Sequence, residues 1–506
     1  MATLAVINAC KLSSHALQTC FNGRSALQRV CDFAQNLCGT GKILVLSEAE
    51  LPVPAGICLQ LVQDPTMAAI LQACADFAQP QVGTDALVYL QADAPFYDQV
   101  LCDSLLELHH KYRSEYTFAD GYPPGYAPEL LHPRILTSLV QLAGRNNIAS
   151  DRDGLFTVLQ KDINSYDIET ILAPRDLRSY RFSPVCDSRR NLQAALSLWK
   201  LNKISAQDCV DWLPEHPELL RTLPAFLWVQ ITEACAQNCS YCPYPQMVGD
   251  PRLLSASMPL DQFGRLMDEA ASACDELAVD VSLWGEPSLH PDFAGIAGRV
   301  LQHPHVTLLI ETSGLGWDLD LVRSLMNKWS KRIHWIVSLD SSDEGMYQKL
   351  RGDGLAEARD FAEYMSRSWP EQTHIQAVRM QDNEENLENF YRGWTKTTEK
   401  VIIQKYDSFA GSLPDRQVAD LSPLERMPCR HLARDMAVLL DGTVPLCKHA
   451  LQRQNGKLVY PERLANVFIE GFSASWQRLE AAWQAHCTRA YPEICEKCDE
   501  YHTFNA

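Results

Sequence analysis

The 506-residue sequence predicts an α/β protein of more than one domain, on three observations. Short apolar runs alternate with stretches of helical spacing along most of the chain, as sheets with covering helices require. The length exceeds what one ordinary hydrophobic core organises, so two or three domains are expected. From residue 224 the alternation becomes regular, with strand-like runs at 226–232, 277–283, 306–311, 333–339, 373–379 and 400–405 separated by amphipathic segments. Six such repeats predict a partial parallel (βα)6 barrel, left open, whose site lies at the carboxyl ends of its strands.

Composition narrows the function classes. The hydrophobic fraction of 46% and charged fraction of 21% are those of a soluble globular protein. A formal net charge of -18 repels phosphate backbones and anionic surfaces, so neither nucleic acid nor membrane is expected as a partner. No apolar run reaches the length of a membrane span, and Met1-Ala-Thr-Leu-Ala-Val-Ile-Asn8 lacks a basic flank and cleavage signal, so a cytoplasmic protein opening on a strand is expected. Eighteen cysteines without a secretion signal predict thiols rather than disulfides. Ten are scattered and read as small apolar packing residues. Cys235, Cys239, Cys242, Cys429, Cys447, Cys495 and Cys498 are spaced like ligands, and Cys487 is left as a spare thiol.

Residues 1–187 form the first expected domain. Its strands include Leu4 to Asn8, Ile43 to Leu46, Ile57 to Leu61 and Ala86 to Leu90, and the last places Asp93 at a carboxyl end of the sheet, where ligands bind. Gly121 to Pro128 is a loop dense in turn formers and aromatics. Residues 188–223 carry helical spacing at Leu192, Leu196 and Trp199 and are expected to be a helical linker. The regular strands then occupy 224–408, one helix between them presenting Phe263, Met267 and Ala270 to the core. The remaining 409–506 form a small cysteine-bearing domain in which Trp476, Leu479 and Trp483 share a packing face.

Cys235-Ala-Gln-Asn-Cys239-Ser-Tyr-Cys242 directly follows the first regular strand. Three thiolates so spaced hold three irons of a 4Fe-4S cube and leave the fourth open, while a zinc knuckle would need a fourth ligand nearby. After later strands come Trp284-Gly285-Glu286-Pro287, Glu311-Thr312-Ser313-Gly314, and Ser338-Leu-Asp340 with Arg351-Gly352. Each alone is a common turn or strand end, but all would surround one mouth. Near the C-terminus, Cys429 is followed by Gly442, Cys447 and Cys495-Glu-Lys-Cys498, a four-thiolate set suited to zinc or to a fully ligated cluster.

The order of these motifs resembles the radical S-adenosylmethionine (SAM) superfamily, whose fold is a partial TIM-type barrel. That resemblance implies cluster ligation by Cys235, Cys239 and Cys242, adenine packing by Tyr241, and ammonium binding at Gly285-Glu286. It further implies Ser313 near the ribose and Ser338 with Arg351 at the SAM carboxylate. Trp284 stands where the family has glycine. Cys429, Cys447, Cys495 and Cys498 resemble the SPASM/Twitch extension, which implies one auxiliary 4Fe-4S cluster. Residues 1–187 resemble the nucleotidyltransferase fold (GT-A, Rossmann-like) of cytidylyltransferases, where the aspartate matching Asp93 helps to hold a divalent metal. Here the family's glycine-rich loop is replaced by Asn8-Ala-Cys10-Lys-Leu-Ser-Ser-His15, which implies a degenerate domain for recognition or docking.

The whole arrangement resembles the spiro-SPASM group. It implies reductive cleavage of SAM to a 5'-deoxyadenosyl radical, oxidative modification of a peptide or protein, and a reductase partner such as flavodoxin or ferredoxin. Tyr406 and Asp407, after the sixth strand, are candidate proton-handling residues at the mouth. Two rival readings are a radical SAM dehydrogenase of a sugar or nucleotide-linked small molecule and a non-catalytic iron-sulfur scaffold or electron carrier.

Overall fold

The structure is a computed structural model that describes residues 2–38, 42–81 and 83–502; Met1, the first residue of the expected opening strand, lies outside them. The chain divides into two compact units, Met1–Thr222 and Leu223–Ala506.

The first unit is built on a seven-stranded sheet of β1 (Ala2–Ala9), β2 (Ile43–Ser47), β3 (Cys58–Leu61), β4 (Thr84–Gln91), β5 (Tyr116–Asp120), β6 (Glu129–Leu131) and β7 (Ile168–Leu172), in the order β3-β2-β1-β4-β6-β5-β7. β3, β2, β1 and β4 pair in parallel, while β6 runs antiparallel to both β4 and β5. The near-continuous apolar runs of β1, β2 and β4 fit strands covered on both faces, and Leu4, Val6, Leu44, Leu46 and Leu87 join one core with helix Met67–Ala78. The stretch expected to be a linker is packed into this unit. Trp199 of helix Arg189–Leu201 stacks on Phe96 at 6.4 Å between ring centroids, and the Ala206 N–H donates to Asp98 Oδ2 at 2.9 Å. The aromatic ring gains more by burial than a solvated linker allows.

The second unit contains a seven-stranded parallel sheet: β8 (Phe226–Val229), β9 (Leu277–Asp280), β10 (Val306–Thr312), β11 (Ile333–Ser338), β12 (Thr373–Arg379), β13 (Val401–Lys405) and β14 (Asp435–Val438). Its order is β13-β12-β11-β10-β9-β8-β14. β14 is a strand that the periodicity did not predict; four residues inside a cysteine-bearing region carry no repeat to read. It extends the sheet beyond β8, with Asp435 opposite Phe226 and Val438 opposite Val229. Burial alternates along β10 and β11, which separates two faces of the sheet. Leu308, Ile310, Trp335 and Val337 face helices that contribute Phe263, Met267, Ile296 and Phe361 to one core. The intervening residues include Glu311 and Ser338, which line a cavity on the other face.

Candidate functional site

Beyond Val229 the chain leaves the sheet and the three cysteines follow on a tight loop. The Cys242 N–H donates to the Cys239 carbonyl at 3.1 Å, and the Ser240 N–H donates to the Leu350 carbonyl at 2.7 Å, tying the loop to the segment after β11. Cys235, Cys239 and Cys242 all line one cavity of about 230 Å³, whose other walls come from the segments after β9 to β13. Burial pushes the Cys235 thiol up to about 12 and raises Cys239 as well, so in the metal-free protein these sulfurs are protonated and would release protons on binding a metal.

Gly285 and Glu286 close the side of the cavity next to the loop. Gly285 has φ +82°, and a Cβ there would run into the Thr232 carbonyl oxygen, so glycine is what lets this turn approach β8. The Glu286 N–H donates to the Ala234 carbonyl at 2.7 Å. The Glu286 carboxylate accepts from Thr312 Oγ1 at 2.6 Å, from the Ser313 N–H at 2.8 Å and from Ser313 Oγ at 2.6 Å. Burial raises its pKa, while the Ser313 and Thr312 hydrogen bonds pull the other way. Trp284, in the position where a glycine was expected, turns its ring onto Tyr244 with planes 2° apart and donates from Nε1 to Tyr460 OH at 3.1 Å.

On the opposite side, Arg351 is buried and largely committed. Its Nη1 donates to Asp340 Oδ2 at 2.7 Å and to Tyr241 OH at 2.6 Å, and its Nε donates to Gln237 Oε1 at 2.9 Å. The Tyr241 hydroxyl itself donates to Asp340 Oδ2 at 2.5 Å. Tyr241 thus braces the cysteine loop against the end of β11, in addition to presenting its side to the cavity. Ser338 Oγ lies on the cavity wall and accepts from Gln376 Nε2 at 3.2 Å.

The two proton-handling candidates separate. Tyr406 is not at the mouth: it is buried with Leu350, Val378 and Met380, and its hydroxyl donates to the Pro414 carbonyl at 2.7 Å. Where the chain leaves β13, that side chain points into packing, which strand position alone did not reveal. Asp407 does line the cavity, but its Oδ1 accepts the Phe409 N–H at 2.7 Å and its Oδ2 is 2.6 Å from His449 Nδ1.

Several cavity residues had been assigned no role from sequence. Glu311 and Lys448 line the cavity, and Asp280 is buried on the neighbouring strand; burial raises the pKa of both acids, with Lys448 opposing the rise in each. Lys448 also sits 3.4 Å above the Trp228 ring. Glu311 lies inside the quoted Glu-Thr-Ser-Gly motif, and inward alternation along β10 was the available signal for it. Asp280 and Lys448 had no local signature.

The second cysteine set is also gathered in space. Cys447 feels the charges of Cys429, Cys498 and Cys495, and the Cys498 N–H donates to the Cys495 carbonyl at 3.1 Å. Gly442, at φ +81°, turns the chain between Cys429 and Cys447, and a Cβ there would strike the Phe468 ring. Cys487 is half-buried at the end of helix Glu480–Cys487.

Comparison with known proteins defines the class of this site. Residues 229–392 match the Radical SAM superfamily, so the chain carries a radical SAM domain and is an enzyme whose family uses SAM and a 4Fe-4S cluster. The chain belongs to one family with a Treponema pallidum (strain Nichols) protein, 35% identical over 367 residues, covering 69% of this chain and 98% of that one and described as an uncharacterized protein. Over 96 residues, 18% of this chain and 21% of the other, it is 39% identical to the ribosomal protein uS12 methylthiotransferase RimO of Nitratidesulfovibrio vulgaris (strain DP4). Among solved structures, Streptococcus suis SuiB bound to S-adenosylmethionine superposes with TM-score 0.41 at 16% identity, over 56% of this chain and 71% of that one. A cytidylyltransferase from Leptospira borgpetersenii gives TM-score 0.34 at 16% identity, over 43% of this chain and 96% of its own. Among the described residues no helix is long and apolar enough to cross a membrane.

Proposed function

We propose that this enzyme abstracts hydrogen from a peptide or protein substrate for oxidative modification, assisted by one auxiliary 4Fe-4S cluster on Cys429, Cys447, Cys495 and Cys498. The observation that carries the reading is the single cavity into which Cys235, Cys239, Cys242, Glu286, Ser313 and Arg351 converge from separate strand ends. The domain is read as a partial TIM-type barrel, because its parallel strands lead into the segments that line that cavity. Cys235, Cys239 and Cys242 would hold the cluster, which when bound would supply the electron for reductive cleavage of SAM.

The chain's own residues bind and aim the cofactor. Glu286 offers a buried carboxylate to the SAM ammonium, held in orientation by Thr312 and Ser313. Ser313 stands beside it for the ribose. The guanidinium of Arg351 faces the SAM carboxylate together with Ser338, while Asp340, Tyr241 and Gln237 keep it from turning away. Asp407 is better read as support for His449 than as a proton carrier. The peptide class rests on the likeness of the second cysteine set to the SPASM/Twitch extension, and a small reductase such as flavodoxin or ferredoxin would deliver electrons.

The first unit is proposed as a nucleotidyltransferase-like recognition domain without transfer activity. Arg152 Nη2 donates to Asp93 Oδ2 at 2.5 Å, so a guanidinium neutralises the carboxylate that a metal would need. No magnesium-dependent pyrophosphate release is therefore expected from any nucleoside triphosphate, and release that Asp93→Ala abolishes would overturn this assignment.

The test of the enzyme reading is anaerobic reconstitution of the full chain with iron and sulfide, followed by SAM and dithionite. 5'-Deoxyadenosine is expected even without substrate. Its absence with both clusters intact would leave the non-catalytic scaffold as the better account. Iron and sulfide should approach two cubes per chain, and the triple alanine variant of Cys235, Cys239 and Cys242 should keep one.

A further inference from the structure

Beside the second cysteine set lies a group of side chains that the proposed chemistry does not use. His431, His449 and Glu500 are all buried, and one ligand atom from each lies within 4.8 Å of the others. They come from three distant parts of the sequence: the short helix before β14, the segment after Cys447, and the C-terminal turn. Each stands two residues after a cysteine, namely Cys429, Cys447 and Cys498, which obscured the pattern in the sequence.

The two histidines are oriented alike. His431 Nδ1 is 2.5 Å from Asp435 Oδ2, and His449 Nδ1 is 2.6 Å from Asp407 Oδ2. A carboxylate on Nδ1 fixes the proton there and leaves the lone pair on Nε2. In both residues Nε2 is buried and has no hydrogen-bond partner among the described residues. The two ring centroids are 4.9 Å apart. Two buried lone pairs left unsatisfied are unfavourable, and that cost disappears when both bind one cation. Asp435 also pairs with Arg434 at 3.1 Å, and Glu500 with Lys405 at 2.6 Å, so both carboxylates are held in place.

From this arrangement we infer that His431, His449 and Glu500 form a mononuclear site for a divalent transition metal, zinc or ferrous iron, separate from both iron-sulfur clusters. Two imidazoles and one carboxylate are a donor set suited to either ion, with positions left open for water. Bonds of about 2.1 Å require the three ligands to draw together by roughly one ångström. The carboxylates on Nδ1 are the outer-shell partners such a site uses to orient its histidines. Asp407 belongs to both places, since it lines the SAM cavity and holds His449, so the metal would lie just behind the cavity wall. The inference does not depend on SAM cleavage and is tested by metal content and coordination alone.

The experiment uses the full chain, reconstituted anaerobically, incubated with micromolar Zn2+ or Fe2+ and passed over a chelating resin. Elemental analysis should find about one metal per chain beyond the iron matched by sulfide, and whichever ion gives it identifies the preferred metal. X-ray absorption of the zinc form should show nitrogen and oxygen neighbours with imidazole scattering and no sulfur shell. His449→Gln and Glu500→Gln should each lose that equivalent with sulfide unchanged. Asp435→Asn, a milder change, should weaken zinc binding by about 10–100-fold. No extra metal, a sulfur-dominated shell, or retention of the metal in both ligand variants would overturn the site. Joint loss of metal and sulfide in Glu500→Gln would assign these residues to the auxiliary cluster and overturn a separate site.

Discussion

Asp340 shows how much of this site is decided by one side chain. It adopts φ +63°, is buried, accepts the Val378 N–H through Oδ1 at 2.7 Å, and holds Arg351 and Tyr241 through Oδ2. Replacing it by alanine leaves the Arg351 guanidinium buried without its counter-charge, which costs about 3–5 kcal/mol. Asp340→Ala should therefore lower the urea midpoint of the full chain clearly more than an exposed control such as Asp360→Ala. Glu286→Gln keeps the shape and removes only the charge. SAM affinity should fall roughly 10- to 100-fold by equilibrium dialysis, the worth of about 1.5–3 kcal/mol for a charged hydrogen bond. An unchanged affinity would remove Glu286 from the ammonium site. At this scale the sequence was informative where a residue sits in a strand-end motif, as Glu286, Ser313 and Ser338 do. It misled at Tyr406, because the direction of a side chain past a strand end depends on how the chain turns. It was silent about His431 and His449: Asp407 meets His449 only in the fold, and the four-residue spacing of His431 and Asp435 is too common to mark a site.

Among the elements, the turns decide what the strands can present. Gly285 lets the segment after β9 lie against the end of β8, and Glu286 is carried into the cavity by that approach. Gly285→Ala adds strain at positive φ and a collision with backbone, which together cost about 1–3 kcal/mol. The expected result is a lower melting temperature together with weaker SAM binding; a melting loss with normal binding would separate the turn from the site. The positions of β8 to β13 were legible because each is a run of apolar residues followed by a helix of opposite period. The helices at 189–212 were legible as helices, but their packing on the first unit was not. That depends on Trp199 meeting Phe21 and Phe96, which are far away in sequence.

At the level of the whole molecule, the first of the two units should answer to pH. In the first, burial raises the Glu129 carboxyl from 4.5 to about 7, although the Tyr116 hydroxyl donates to it. A folded pKa above the unfolded one means that the protonated acid stabilises the fold at low pH. That contribution is complete below about 4.5 and is lost as pH rises to about 7. Water reaches part of this side chain, so the change is at most ~3 kcal/mol. Glu129→Gln should remove this slope from the unfolding free energy between pH 5 and 7, and a parallel profile in the two proteins would show that another group is responsible. The pairing of β14 with β8 also spans a distance that matters. One strand leads into the loop of Cys235 to Cys242, while the other lies between Cys429 and Cys447, and they are locked with Val438 opposite Val229. The separation between the two cysteine sets is therefore a ruler marked in residues. It can lengthen or shorten only in steps of about 3.3 Å as one parallel strand slips past the other. Insertions on either side of β14 should be absorbed in the loops, and the gap between the two cysteine sets would stay the same.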